Sequence, residues 1–168
     1  SHEEALSSAG ELQTAVEGAS AEPAVLAYCR LALGQIYRAN GRLEDAMAAL
    51  TAAHTYYEEV QDCFYAAETL SRLAMVMGNL GQRTEAMELS RQGLALARQV
   101  GDRYAASGLF FGLAAETWLL EGPTEAAEHY SWESARLRRE LGDRVYYAYI
   151  LAQAANIPLW REGDLATP

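Results

Sequence analysis

Two stretches decide the fold: "LGQIYRANGRLEDAMAAL" at residues 33–50 and "LAMVMGNLGQRTEAMELS" at residues 73–90. The second restates the first after 40 residues, so internal periodicity is the primary signal. Gly41, Gly81, Gly122 and Gly163 carry it along the chain, and Asp62, Asp102 and Asp143 fall between them. Two landmarks per period mean two helices and two turns per unit. The "GD" pairs Gly101–Asp102 and Gly142–Asp143 explain one turn. A glycine ends a helix cheaply at positive φ. The aspartate that follows accepts from the exposed N–H groups of the next helix and suits its positive end. Gln61–Asp62 keeps the cap without the glycine.

Between turns the apolar residues recur at helical spacing, as Met87, Leu89, Leu94, Leu96 and Val100 do, and no strand-like alternation interrupts them. The spacing predicts eight helices, near 3–17, 22–39, 43–59, 63–79, 83–99, 103–120, 124–140 and 144–162. The fold class expected is all-α, a solenoid of stacked antiparallel hairpins, because one hairpin cannot bury its apolar face alone. The expected organisation is one repeat domain over 1–168, with a half repeat at 1–20, repeats at 21–61, 62–101 and 102–142, and a half repeat at 143–168.

Composition narrows the function. The 168-residue chain is 51% hydrophobic and 21% charged, with a formal net charge of −10. That describes a folded protein, and its charge argues against direct nucleic-acid binding. All basic residues are Arg, which together with abundant Ala points to a GC-rich bacterial genome. Cys29 and Cys63 are too few for a disulfide framework, no apolar run is long enough for a membrane span, and no secretory leader is expected. The expected setting is cytoplasmic. The given sequence opens on Ser1–His2, and a fragment or a tag scar is expected. His54 and His129 lie in different repeats and predict no metal site; no glycine-rich phosphate loop and no nucleophile–base pair stands out. Neither an enzyme nor a cofactor is expected.

The residues resemble the tetratricopeptide repeat family. Leu33–Gly34, Tyr37, Gly41, Ala46, Leu50 and Ala53 stand at its packing positions. The second unit matches with Leu73–Ala74, Met77, Gly81, Ala86 and Gly93, and the third with Phe111, Ala115, Trp118, Gly122, Ala127 and Ser134. Arg30 replaces a preferred aromatic, and the proline that ends each family repeat is missing. The period exceeds the usual length of roughly 34 residues and is similar to that of a longer-helix subclass found in bacterial regulators and kinesin light chains. The resemblance implies a right-handed solenoid that binds a peptide or partner domain in its concave groove.

In such an array the first helix of each hairpin lines the groove. The candidates are Tyr28, Leu31, Gln35 and Arg38; then Glu68, Ser71, Arg72, Met75 and Asn79; then Gly112, Glu116 and Leu119. A terminal-carboxylate clamp of the chaperone-binding relatives is not expected, since the chain has no Lys. The last helix carries Tyr146, Tyr147, Tyr149, Ile150 and Trp160, with Pro158 to kink it, and no following helix to cover it. Self-association through Tyr146, Tyr147, Ile150 and Trp160 is therefore the alternative function, and a ligand-sensing domain of a larger regulator the third.

Overall fold

The computed structural model describes residues 22–154 together with Gly10 and Thr14. Among the described residues there are seven helices: α1 (Pro23–Ala39), α2 (Leu43–Glu59), α3 (Cys63–Asn79), α4 (Arg83–Val100), α5 (Arg103–Glu121), α6 (Glu125–Glu140) and α7 (Arg144–Ala154). The expected limits agree with these to within a residue or so. The helix expected at 3–17 lies outside the described residues except for Gly10 and Thr14, both helical. The stretch 155–162 of the last expected helix, with Pro158 and Trp160, also lies outside them.

The capping aspartates act as the spacing requires. Asp62 Oδ1 accepts from the N–H groups of Phe64 and Tyr65 at 3.1 Å, and Asp102 Oδ1 from those of Tyr104 and Ala105 at 3.0 Å. Asp143 Oδ1 takes the N–H of Tyr146 at 3.1 Å. Ahead of Asp102, Gly101 ends α4 at φ 72°, and the Asp102 N–H reaches back to the Ala97 carbonyl at 2.8 Å. Gln61 takes the same left-handed conformation, φ 57°, with a full side chain. This backbone costs a non-glycine residue about 1–2 kcal/mol.

Each helix packs on the next, and the first helices of successive hairpins touch directly, α1 on α3 and α3 on α5. One core joins α1, α2 and α3 around Leu31, Leu33, Tyr37, Leu50, Tyr57 and Val76. A second joins α3 to α6 around Met87, Leu94, Leu109, Phe110, Leu113 and Leu137. Leu96 packs against both, so the apolar interior continues along the stack. Small residues set the spacing between helices. Gly34 of α1 lies against the fully buried Leu50 of α2, and Gly93 of α4 against Leu109 and Leu70. The 41-residue step also has a local cause. α5 runs 19 residues against 17 for α1 and α3, and Gly122, at φ 80°, follows it.

Candidate functional site

The first helices α3 and α5, with contributions from α1, α4 and α7, enclose an open cavity of about 360 Å³. Met75, Leu109, Phe111 and Ala115 give it an apolar floor, and Arg38, Asn79, Glu116 and Tyr146 edge it. A second hollow of about 130 Å³ continues it toward the starts of α3 and α5, past Glu68, Arg72, Tyr104 and Arg138. Ser71, Met75, Gly108, Phe111 and Tyr146 line both, so the two are one groove.

Its charges are nearly all paired. Arg72 donates to Glu68 within α3, through Nε at 3.1 Å and through its NH2 group. Arg83 NH1 donates to Glu116 Oε2 at 2.9 Å, and the other Glu116 oxygen rests over the bare Cα of Gly78. Any Cβ at that position would displace the carboxylate. Arg38 differs: it has no ion-pair partner among the described residues, and its Nε is buried without an acceptor.

The far wall is held by a buried cation. Arg138 of α6 is 5% exposed. Its Nε donates to Ser107 Oγ at 2.8 Å and its NH1 to Asp143 Oδ2 at 3.0 Å. Its guanidinium lies 4.1 Å from the Tyr104 ring centre and 4.7 Å from that of Tyr146. Ser134 Oγ in turn donates to the Ser107 carbonyl at 2.8 Å. A buried charge is tolerated only with this degree of pairing. The network ties α5, α6 and α7 together and sets Tyr146 at the groove mouth.

The structure brings together most of the residues chosen from the sequence. Arg38, Ser71, Met75, Asn79, Gly112 and Glu116 line the main cavity, and Glu68 and Arg72 its extension. Gln35 is half-buried and Leu119 exposed; neither lines the groove. Tyr28 is exposed and meets Tyr65 edge-on, centroids 6.0 Å apart, outside it. Two assignments need correcting. Leu31 is 4% exposed, because it sits one turn after Ala27 on the face that meets the core. Ile150 is 1% exposed and is not a free association surface. It stands one period after Leu109, itself one period after Thr69, and all three are buried. Tyr146 belongs to the groove as well as to the open face of α7, Tyr147 is half-buried, and Trp160 lies outside the described residues.

Sequence reasoning missed Gly108, Phe111 and Arg138. Gly108 and Phe111 lie on the same helix as the chosen Gly112, and Arg138 comes from the second helix of a hairpin, where no candidate was sought. His54, set aside as a metal ligand, is tied to the Thr69 hydroxyl at 3.0 Å. Among the described residues no three His, Cys, Asp or Glu side chains group to hold a metal, and no helix is long and apolar enough to cross a membrane.

No protein-family model matches the chain, and no curated protein matches it. Solved structures do. The chain is similar to a candidate kinesin light chain of Podosopora anserina with nearly identical TPR-like repeats, at 18% identity, covering 95% of this chain and 94% of that one, with a TM-score of 0.57. A single-residue variant of that protein aligns at 19% identity over 96% and 94% of the chains, with a TM-score of 0.48. At such identity the first of these likenesses concerns the fold, a solenoid of TPR-like hairpins.

Proposed function

We propose that this chain is a protein-interaction module whose concave groove, between α3 and α5, docks a peptide or a segment of a partner protein. The observation that carries the reading is the continuous groove. Its apolar floor of Met75, Phe111 and Leu109 is flanked by polar groups that come from successive hairpins. Binding sites commonly join an apolar floor to a few convergent polar groups. A solenoid supplies a long concave surface of this kind. No nucleophile, base or ligand cluster in it suggests turnover, so binding is the activity assigned. The acidic chain favours a protein partner over nucleic acid.

The test is selection of random 12-residue peptides displayed on phage against the immobilised chain. Binders should lose affinity on Met75→Glu and on Phe111→Glu, and keep it on Arg91→Ala, whose side chain is half exposed on α4. Equal binding to all three variants would move the site off the groove. Self-association through α7 is the second reading, since Val145 and Tyr149 are 81% and 51% exposed. Sedimentation of the parent beside Tyr149→Glu tests it: a parent that stays monomeric at high concentration rules it out.

A further inference from the structure

Three turns join one hairpin to the next, and each carries the same pair of exposed apolar side chains. Val60 follows α2 and Phe64 stands in the first turn of α3; Val100 and Tyr104 do the same for α4 and α5, and Leu141 and Val145 for α6 and α7. The pairs recur at steps of 40 and 41 residues. All six side chains are between 42% and 81% exposed. The turns at the other end of the same helices give the contrast. Those of the first two hairpins expose Gly41, Arg42 and Glu44, then Gly81, Gln82 and Thr84, and no large apolar residue. The third differs, with Leu119 and Leu120 exposed at the end of α5. Single exposed apolar residues need no explanation, but a contiguous apolar surface marks an interaction site. Here α3 packs on α5, and α5 meets α7 through Phe111 and Tyr149, so the three pairs form a stripe along one edge of the stack. The second observation is electrostatic and independent of the first. Glu58 and Glu59 are exposed in the last turn of α2, which holds no basic residue. Carboxylates there oppose the helix dipole, and Glu58 meets only His54, at 3.4 Å. At the other end of the stripe Arg139 and Arg144 are exposed. The acids beside them are taken, Glu140 by Arg103 and Arg136 and Asp143 by Arg138. Arg144 also opens α7, where the dipole favours the opposite charge. In the middle the charges turn inward: Arg103 reaches Glu140 at 3.5 Å, Asp102 caps α5, and Arg98 lies 5.4 Å from the Phe110 ring centre.

We infer that this edge joins two copies of the chain, antiparallel, across a two-fold axis at Val100 and Tyr104. A two-fold interface uses the same patch on both copies, so it sets each copy's first pair against the other's third. Val60 and Phe64 then meet Leu141 and Val145, and Glu58 and Glu59 meet Arg139 and Arg144, twice over. The parallel alignment would set acid on acid and arginine on arginine. The apolar pairs supply the contact, and the charges fix the register. Three pairs make an interface of the small, reversible class. The contact is distinct from the end face of α7 that carries Tyr149, and it leaves the groove open, so it stands independently of what the groove binds.

The experiment is sedimentation equilibrium of the full chain at low salt, from micromolar to near-millimolar protein. The parent should dimerise, and added salt should weaken the dimer. Glu58→Arg with Glu59→Arg should weaken it about tenfold or more, because both ends exchange attraction for repulsion. Arg139→Glu with Arg144→Glu should do the same. All four replacements in one chain should restore the parent's association, since the signs are again opposite across the axis. Val100→Glu places two like charges at the axis and should abolish the dimer, whereas Tyr149→Glu should leave it unchanged. Melting temperatures of the dilute monomers check the fold; the arginines at the end of α2 suit its dipole, so that variant should melt no lower than the parent. A parent that stays monomeric throughout would overturn the inference. So would a dimer that ignores both charge reversals, or one that Tyr149→Glu abolishes. A fourfold variant that associates no better than either pair would overturn the antiparallel register. Peptide binding in the groove is read separately and has no bearing on these outcomes.

Discussion

The same substitution, glycine to alanine, should change stability in opposite directions at Gly34 and at Gly112. In a helix interior the exchange alone gains about 0.5–1 kcal/mol. At Gly112 nothing opposes that gain, because the new methyl meets Ser90 Oγ at 3.5 Å. At Gly34 the methyl would lie 2.7 Å from Leu50 Cδ2 and closer still to Leu50 Cγ. Leu50 is fully buried. To reach ordinary contact, α1 and α2 must part by most of an ångström or Leu50 must leave its rotamer. Overpacking of this kind costs about 1–3 kcal/mol. Taking the middle of each range, the net expectation is a loss of about 1 kcal/mol for Gly34→Ala and a gain of about 0.5–1 kcal/mol for Gly112→Ala. In a chain of this size each kcal/mol moves the melting temperature by roughly 2–4 °C. Thermal melts followed by circular dichroism at 222 nm resolve the two signs. A Gly34→Ala protein that melts at or above the parent would refute the close approach of α1 and α2, and with it the phase assigned to the repeat.

Other outcomes follow from the same structure. Gln61→Gly should stabilise the chain by about 1 kcal/mol, since glycine holds φ near +57° without strain; a urea midpoint measures it. Asp102→Ala removes the acceptor for two N–H groups at the start of α5 and should cost about 1 kcal/mol in the same assay. Arg138→Met should cost about 2–3 kcal/mol, because Ser107 and Asp143 lose a charged donor; an unchanged midpoint would mean the network is not formed in solution. The Tyr57 hydroxyl is pushed up to about 12 by burial first, then by Tyr65 and Asp62. Its folded pKa lies above its unfolded value near 10, so the stability it contributes is complete below pH 10 and is lost as pH rises toward 12. The urea midpoint should fall over that window, and less steeply in Tyr57→Phe.

The fold was legible because its signals are local and repeated. A glycine or aspartate every 40 residues marks turns that the backbone then makes, and helical spacing between them leaves one way to bury the apolar faces. The groove was legible in part. Arg38, Met75, Asn79 and Glu116 were found because the first helix of a hairpin shows the same face each time. Leu31 and Ile150 were misplaced where a one-residue change of phase moves a side chain by about 100° around the helix. Ile150 could have been placed from the sequence by its register with the apolar Leu109 one period earlier, whereas Leu31 is followed one period later by the polar Ser71. Gly108 needed the structure, and so did the reason for a glycine at Gly112, which the sequence offered only as a groove-facing position. A glycine pressed against a leucine and a glycine facing a cavity read the same in sequence, and only interatomic distances tell them apart. Arg138 needed it too, since its partners Ser107 and Asp143 come from other elements of the stack.

The central claim, that the concave face of α3 and α5 is the interaction surface, is most directly tested by amide hydrogen exchange with and without a phage-selected peptide. The account predicts slowed exchange in residues 68–79 and 104–116, with α2, α4 and α6 unchanged. Protection confined to α2, α4 or α6, with α3 and α5 exchanging as in the free chain, would contradict it.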